Sequence, residues 1–516
     1  VRGHVVGALL FAVAAVILAT ATMLLLRTST DPVVATGHDG TELSRVDLEF
    51  RTLHGDTGRP AANTEVTVAV DTWQGCETQT VTTDDQGLVT IRGIDPEATV
   101  TAFAAAPGGS VTFPVEVDLA DEGAPRGTVD LPLYEKDDQW PSWGRSCDRS
   151  RCGPAIGLPD GGPLWMHDTG YNVEFPPTLA YGMVFYGSYS GRVYAHRQSD
   201  GEMLWKHLPG KQRRNSKFAN QVAVSSWMEG CGEKKHRVAR VFYANIDGVA
   251  GAIDAFTGEH VWRRVSGRGP GTDGRNLLFR SFESSPLIVG ETLYLASRYH
   301  HSDSEAGLWA FDRRTGAVRW FCKLGASDAS KIGGSPSYAD GRVYIGCYDG
   351  GVFAVDARTG SIVWSTRLRG QFYSTPAIDG EQLYIGSKSN GRVYCLRTSD
   401  GSVVWYARGL RSVYGSPALW GHALYIGGER EFVAMSRVDG SVLWRYPTAG
   451  KVLGSATVLD DVVYFSDLSG HTYACDARNG ELVWEWEAGR YSPVTATRHL
   501  IMVTGRHRIW AFRPST

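Results

Sequence analysis

The chain is poor in net charge: 52 Lys and Arg against 55 Asp and Glu leave −3 over 516 residues. A nucleic-acid binder would show a strong basic balance, so no nucleic-acid partner is expected. No two cysteines are adjacent anywhere. No Ser-His-Asp elbow, phosphate-cradling glycine loop or paired-carboxylate motif stands out, and the Gly-x-Gly strings all fall in turns. Long apolar runs are missing too, with one exception, Val5 to Leu26. That run has about the ~20 residues a membrane-crossing helix needs. Arg2 and Arg27 flank it evenly, so the positive-inside rule barely sets its orientation. Ala19-Thr20-Ala21 would suit a signal-peptide cleavage site, but the run continues through Met23-Leu24-Leu25-Leu26, which favours an uncleaved anchor. Either way the bulk of the chain is expected outside the cytoplasm, extracellular or periplasmic. No cysteine follows the run, so a lipoprotein anchor is not supported.

Glycine and tryptophan are plentiful, at 61 and 16 residues. Excess glycine without a collagen period means many tight turns, hence many short strands. The eight cysteines fit an oxidising compartment. Cys147 and Cys152 are close enough in SCDRSRCGP to close a small disulfide ring. Cys395 and Cys475 sit in apolar strand patterns and read as buried thiols. Cys76, Cys231, Cys322 and Cys347 cannot be paired from sequence.

After a polar stretch, the runs VDLEF, EVTVAV, LVTI and TVTAFAA alternate with a period of two, which predicts strands of a small antiparallel sandwich. TGRPAANTEVTVAV followed by TTDDQGLVTIRGI resembles the carboxypeptidase-regulatory-like or Cna-B-type fold, whose modules act as spacers or stalks. Leu133 ends this unit, and DDQWPSWGRS reads as a linker.

From there the chain repeats. A turn glycine, three residues and a tryptophan recur at Gly201/Trp205, Gly258/Trp262, Gly316/Trp320, Gly360/Trp364, Gly401/Trp405, Gly440/Trp444 and Gly480/Trp484, with an isolated copy ending at Trp165. The later copies recur about every forty residues with four strand patterns each, a propeller signature. Each Trp is expected on an outermost strand, docking one blade on the next. The last segment, HLIMVTGRHRIWAFRP, lacks an outer strand, and Pro163 to His167 would supply it and close the ring. The fold expected is therefore all-β, an eight-bladed β-propeller preceded by one transmembrane helix and a small β-sandwich. Its parts are an anchor or signal peptide at 1–30, a linker at 31–43, a sandwich at 44–135, a linker at 136–159 and the propeller at 160–516. Insertions at 211–235 and 267–276 are long enough for binding loops.

The phrases AIDAFTGEHVW, AFDRRTGAVRW, AVDARTGSIVW and ACDARNGELVW are similar to the PQQ-like, quinoprotein-type repeat, Ala-x-Asp-x-x-Thr-Gly-x-x-x-Trp. The resemblance implies one of two roles. Quinoprotein dehydrogenases hold the quinone PQQ and Ca²⁺ at the propeller centre, beside a disulfide between adjacent cysteines. BamB-like eight-bladed propellers serve as docking scaffolds. This chain lacks the Cys-Cys pair, and its inner strands ESSPLIV, GGSPSYA, YSTPAID, YGSPALW, LGSATVL and YSPVTAT are mostly small and hydroxylated, with Glu283 the lone acid near the centre. Neither PQQ nor Ca²⁺ is expected, and Trp420, able in principle to floor a flat cofactor, reads as core. The polar run Arg298 to Glu305 reads as a solvated loop tip, and Cys231 with His236 supply too few ligands for zinc.

The connections into successive inner strands carry Lys217, Arg280, Lys331, Arg369, Arg411, Lys451 and Arg490, with Tyr373, Tyr414 and Tyr491 beside them. Around one mouth these cations would form a positive funnel for an anionic partner, and Tyr with Arg suits protein-binding hot spots. The competing reading is ordinary solvated cations paired with acids. The function expected is a membrane-anchored, extracytoplasmic, non-catalytic scaffold with a protein partner. The alternatives are a PQQ/Ca-dependent dehydrogenase and a ligand-binding sensor ectodomain.

Overall fold

The computed structural model describes residues 35–36, 42–43, 45–72, 75–105, 110–121, 127–135, 138–153, 155–210, 217–230, 236–265, 281–298, 306–324 and 331–515. The expected anchor at 1–30, residues 211–216 and 231–235 of the 211–235 insertion (Cys231 among them), the 267–276 insertion, Arg280 and residues 299–305 of the Arg298–Glu305 loop lie outside these residues. Among the described residues no helix is long and apolar enough to cross a membrane.

The described chain is all-β. Val46–His54 and Thr128–Glu135 pair in parallel at the centre of one N-terminal sheet, and Glu65–Thr72 lies between Gly75–Thr82 and Thr99–Ala104 in a second. Alternate residues of both sheets, among them Leu48, Phe50, Val66, Val68, Ile91, Val100 and Leu131, share one buried core. Burying one face of each sheet is what the period-two pattern dictates.

Residues 165–512 form eight sheets built on one plan: four strands joined as an antiparallel meander, one of them carrying an extra short strand at its inner edge. The architecture is that of a β-propeller. The first sheet covers 178–207, the second 223–265, the third 287–323, the fourth 337–367, the fifth 377–407, the sixth 418–447 and the seventh 457–486. In the eighth, Thr495–Thr497, Leu500–Gly505 and Arg508–Phe512 are completed by Trp165–Asp168, with Trp165 opposite Ala511 and Asp168 opposite Arg508. The isolated N-terminal strand thus pairs as the sequence predicts, ending one residue beyond His167.

The repeat glycines and tryptophans explain how neighbouring sheets dock. Trp205 donates its indole N–H to the carbonyl of Ala255 at 2.9 Å, Trp364 to Thr398 at 2.8 Å and Trp405 to Arg437 at 3.0 Å. Trp165, Trp262, Trp320 and Trp444 make the same bond to Gln198, Arg313, Ala357 and Ala477. Each ring lies against the turn glycine of the next repeat, as Trp205 does against Gly258. Trp484 faces the ring-closing sheet, where no such turn exists, and packs edge-on against Phe512 instead.

The inner strands are small and hydroxylated because their hydroxyls link sheet to sheet. The backbone N–H of Gln221 donates to Ser285 Oγ, Ser285 to Ser335, Ser335 to Thr375, Thr375 to Ser416 and Ser416 to Ser455, all at 2.8–3.0 Å. This belt satisfies buried backbone donors where strands from different sheets converge, a need that apolar side chains cannot meet.

The segment 138–153, inside the stretch expected to be a linker, is packed within the channel. The peptide groups of Trp140 and Leu179 exchange hydrogen bonds at 2.8 and 3.0 Å. The carbonyls of Pro141, Cys147, Asp148, Ser150 and Arg151 accept from Val224, Tyr338, Ile378, Leu419 and Val458. Arg149 reaches the third sheet at the carbonyl of Pro286, and Asp138 accepts from the N–H of Arg498 in the eighth. One short segment therefore touches all eight sheets. It also explains why Cys147 and Cys152 do not close the ring their spacing would allow: the Cys147 thiol points to the carbonyl of Ile288 in the third sheet and that of Cys152 to Leu419 in the sixth. Cys322, Cys347, Cys395 and Cys475 are buried free thiols, and Cys76 is free and exposed.

Candidate functional site

In an antiparallel meander, the connection into the first strand and the turn between the second and third lie at the same end. The other two turns lie at the opposite end. The N-terminal sheets dock on that opposite end: Phe113 packs edge-on at 4.9 Å from Tyr181 and 4.7 Å from Phe256, and Glu135 pairs with Arg498 at 2.6 Å. The mouth at the other end is thus free of them and is the candidate site.

Its floor is aromatic. Trp143, from the channel segment, donates its indole N–H to Thr375 Oγ1 at 3.2 Å and packs at 5.2 Å against Phe175, which meets Tyr491 at 6.0 Å. The Arg151 guanidinium lies 3.9 Å over the Trp143 ring. Arg149 and Arg151 are both fully buried, and burial lowers the pKa of each. Arg149 spends its donors on the carbonyls of Pro336 and Pro286, both at 3.1 Å, and on that of Trp143.

Above the fourth to sixth sheets, Tyr373 stacks on Tyr414 at 4.9 Å and meets Tyr348 edge-on at 5.2 Å. The cation among these rings is Lys388, 4.7 Å from Tyr414, 4.9 Å from Tyr373 and 5.9 Å from Tyr348. Burial raises the pKa of Tyr373 and of Tyr414.

The cations singled out in the sequence are not equivalent. Lys217 sits 4.7 Å over Tyr189, and Lys331 is 5.9 Å from Tyr348. Lys451 pairs with Glu429 at 2.8 Å. Arg369 and Arg411 are exposed and, like the half-buried Arg490, make no ion pair among the described residues. Acids share the same mouth: Glu283 pairs with Arg298, and Glu174 accepts from the Tyr189 hydroxyl. Burial raises the Glu174 pKa, opposed by that bond and by Lys217. The mouth is a mixed surface of tyrosines, cations and acids. Tyr348, Lys388, Tyr189 and Glu174 were not singled out in the sequence, because they lie in hairpin turns and the ring-closing connection, outside the repeat motif. Trp420 ends an inner strand away from the mouth, with Arg478 5.9 Å over its ring.

Between the seventh, eighth and first sheets the mouth opens into a cavity of about 720 Å³, bordered by Asn172, Glu174, Tyr189, Arg490, Tyr491 and Arg506. Among the described residues, no group of three or more His, Cys, Asp or Glu side chains is placed to hold a metal ion.

The sequence profile of a family described as outer membrane protein assembly factor BamB matches residues 154–407 and 410–516. Quinohemoprotein alcohol dehydrogenase ADH-IIG of Pseudomonas putida is 25% identical over 239 residues, which is 43% of this chain and 31% of that protein. The chain thus spans about a third of the length of that curated relative. BamB from Moraxella catarrhalis is similar in structure, with TM-score 0.51 and 18% identity over 68% of this chain and 99% of that one. Quinohemoprotein alcohol dehydrogenase from Comamonas testosteroni gives TM-score 0.59 and 12% identity over 73% and 80% of the two chains. At these identities the two structural likenesses speak to fold alone.

Proposed function

Because this chain belongs to the family described as outer membrane protein assembly factor BamB, built on PQQ-like repeats, we propose that it is a non-catalytic interaction scaffold. In this reading the eight sheets are the blades of one closed propeller. The N-terminal strands form a sandwich stalk, and the 1–30 segment anchors the chain so that the propeller lies outside the cytoplasm. The mouth, facing away from the stalk, receives a protein partner.

The observation that carries the proposal is the channel segment 138–153. A flat quinone bound with Ca²⁺ needs room on the axis and carboxylates free to ligate calcium. Here Trp143, Arg149 and Arg151 pack the axis. The nearby acids are engaged, Glu283 with Arg298 and Glu174 with Tyr189. The inner-strand hydroxyls belong to the inter-sheet belt, and no adjacent cysteine pair exists. These residues do not fit the quinone. The tyrosines and the unpaired Arg369 and Arg411 instead suit an acidic protein surface.

Crosslinking of the full chain in its native membrane tests this reading. Reversing Arg369 and Arg411 to Glu should reduce capture of the principal crosslinked partner at low salt, with the remaining fold intact. Unchanged capture would remove the mouth as the docking surface. Addition of PQQ and Ca²⁺ to the purified full chain should yield no bound-quinone absorbance and no dye reduction with alcohols or sugars. A positive result on both would favour the dehydrogenase suggested by the names of the relatives.

A further inference from the structure

The segment that carries the chain inward from Trp165–Asp168 also makes one wall of the mouth cavity. Asn172 and Glu174 come from this ring-closing connection, Tyr189 from a turn of the first sheet, and Arg490, Tyr491 and Arg506 from the eighth. Its volume of about 720 Å³ falls in the range of roughly 300–1,000 Å³ usual for small-molecule pockets.

Three independent features converge there. Two guanidinium groups, Arg490 and Arg506, border the cavity without an ion pair to any described residue. Close by, Arg508 is paired with Asp168 at 3.1 Å, so an acid was available to this turn and was not used by Arg506. Next, Glu174, Tyr189 and Asn172 supply acceptors and donors on the facing wall, and Glu174 is already oriented by the Tyr189 hydroxyl. Last, Tyr491 at φ 66° and Arg506 at φ 47° both hold left-handed backbone conformations. Side-chain-bearing residues seldom adopt these, and such outliers gather at ligand clamps.

We infer that this cavity binds a small hydroxylated anion of the acidic-sugar class, its oxyanion on Arg490 and Arg506 and its hydroxyls on Glu174, Tyr189 and Asn172. Fork-shaped guanidinium donors match a carboxylate or a phosphate equally well, so a sugar acid and a sugar phosphate share the chemistry the site reads. The inference goes beyond the scaffold reading and does not depend on it.

Isothermal titration calorimetry on the full chain in detergent, with glucuronate, glucose 6-phosphate, glucose and inorganic phosphate as probes, tests it. Saturable binding of glucuronate or glucose 6-phosphate, and not of glucose, is expected, and which of the two binds better identifies the oxyanion. Combining Arg490→Gln with Arg506→Gln should weaken that binding roughly tenfold or more, as loss of charged hydrogen bonds predicts. Arg490→Lys with Arg506→Lys should retain part of it. Glu174→Gln should weaken the sugar probes and leave inorganic phosphate unchanged. Thermal melts of each variant separate lost binding from lost folding. The inference is overturned if neither acidic sugar binds, if glucose binds equally, if inorganic phosphate matches the sugar phosphate, or if the double Gln variant binds like the parent.

Discussion

Gly360 lies directly beneath the indole of Trp320: a Cβ added to Gly360 would stand 2.7 Å from the ring, and the glycine is held at φ 76°. The ring is also tied by its N–H to the carbonyl of Ala357 at 3.1 Å. The glycine and the tryptophan of adjacent repeats are therefore one contact, in which the missing side chain makes room for the ring.

Gly360→Ala should destabilise the protein by about 1–3 kcal/mol, from left-handed strain plus displacement of the ring. Gly341 has φ 75° but nothing within 4 Å of an added Cβ. Gly341→Ala therefore carries the strain without the collision. Urea unfolding of both variants should place Gly360→Ala lower, and equal midpoints would show that the ring moves aside freely.

Arg149 is the hub of the channel segment, and Arg149→Met keeps its apolar stem while removing its donors. The carbonyls of Pro286 and Pro336 would then be buried without partners, at a cost of about 1–3 kcal/mol for each group left unsatisfied. Chemical denaturation should register the loss, and hydrogen exchange should localise it to the inner strands of the third and fourth sheets.

The contribution of Asp56 to stability should fall as pH rises from about 4 to about 7. Asp56, at the base where the N-terminal sheets meet the propeller, has its pKa pushed up to about 7 by burial, with Asp138 nearby adding to the shift. The native state holds this proton more tightly than the unfolded chain does. Native stability is thus highest below the unfolded carboxyl pKa and declines until the group ionises above pH 7. Asp56→Asn should flatten that limb in thermal melts taken across the range.

His196 should contribute a slope of opposite sign over much of the same range, which substitution separates from that of Asp56. His196 donates from Nδ1 to the carbonyl of Gly201 and accepts at Nε2 from the Tyr186 hydroxyl, both at 2.9 Å. Burial depresses its pKa to about 4. The unfolded imidazole charges first, so stability is full above about pH 6.5 and drops as pH falls toward 4. Titration of the His196 ring by NMR should show it neutral at pH 5.5, and a normal midpoint would refute the assignment.

The repeat was legible because glycine, tryptophan and strand alternation are local signals at fixed spacing. From them the sheet plan and the pairing of the strand at Trp165 with the end of the chain could be read. The channel segment was not legible. Gln139 to Cys152 is rich in Ser and Arg, with no period of two or 3.6, and its long-range hydrogen bonds are spread over many distant sheets. Arginine is among the residues least often buried, so nothing in Arg149 or Arg151 announced an interior position. The mouth was half legible. Its inward connections were placed by the repeat, but Lys388 and Tyr348 enter from hairpin turns and Glu174 from the ring-closing connection, all outside the repeat motif. The tyrosines therefore gather around a lysine that the repeat does not mark.

The channel segment precedes every strand of residues 165–512, lying just ahead of Trp165 in the chain, which gives it a role in the order of assembly. It leaves the ribosome before any of the strands it will touch, so the sheets form around an axle already synthesised. Each new meander finds a waiting hydrogen-bond partner as it arrives, which keeps most of the docking sequential. The exception is the final seam, where Thr169 and His507 meet across a sequence separation of 338 residues. Closing a loop of that size carries a large entropic cost. Until it occurs the inner strand of the first sheet is held by Trp140 on one side and by Gln221 and the Val222 carbonyl of the neighbouring sheet on the other.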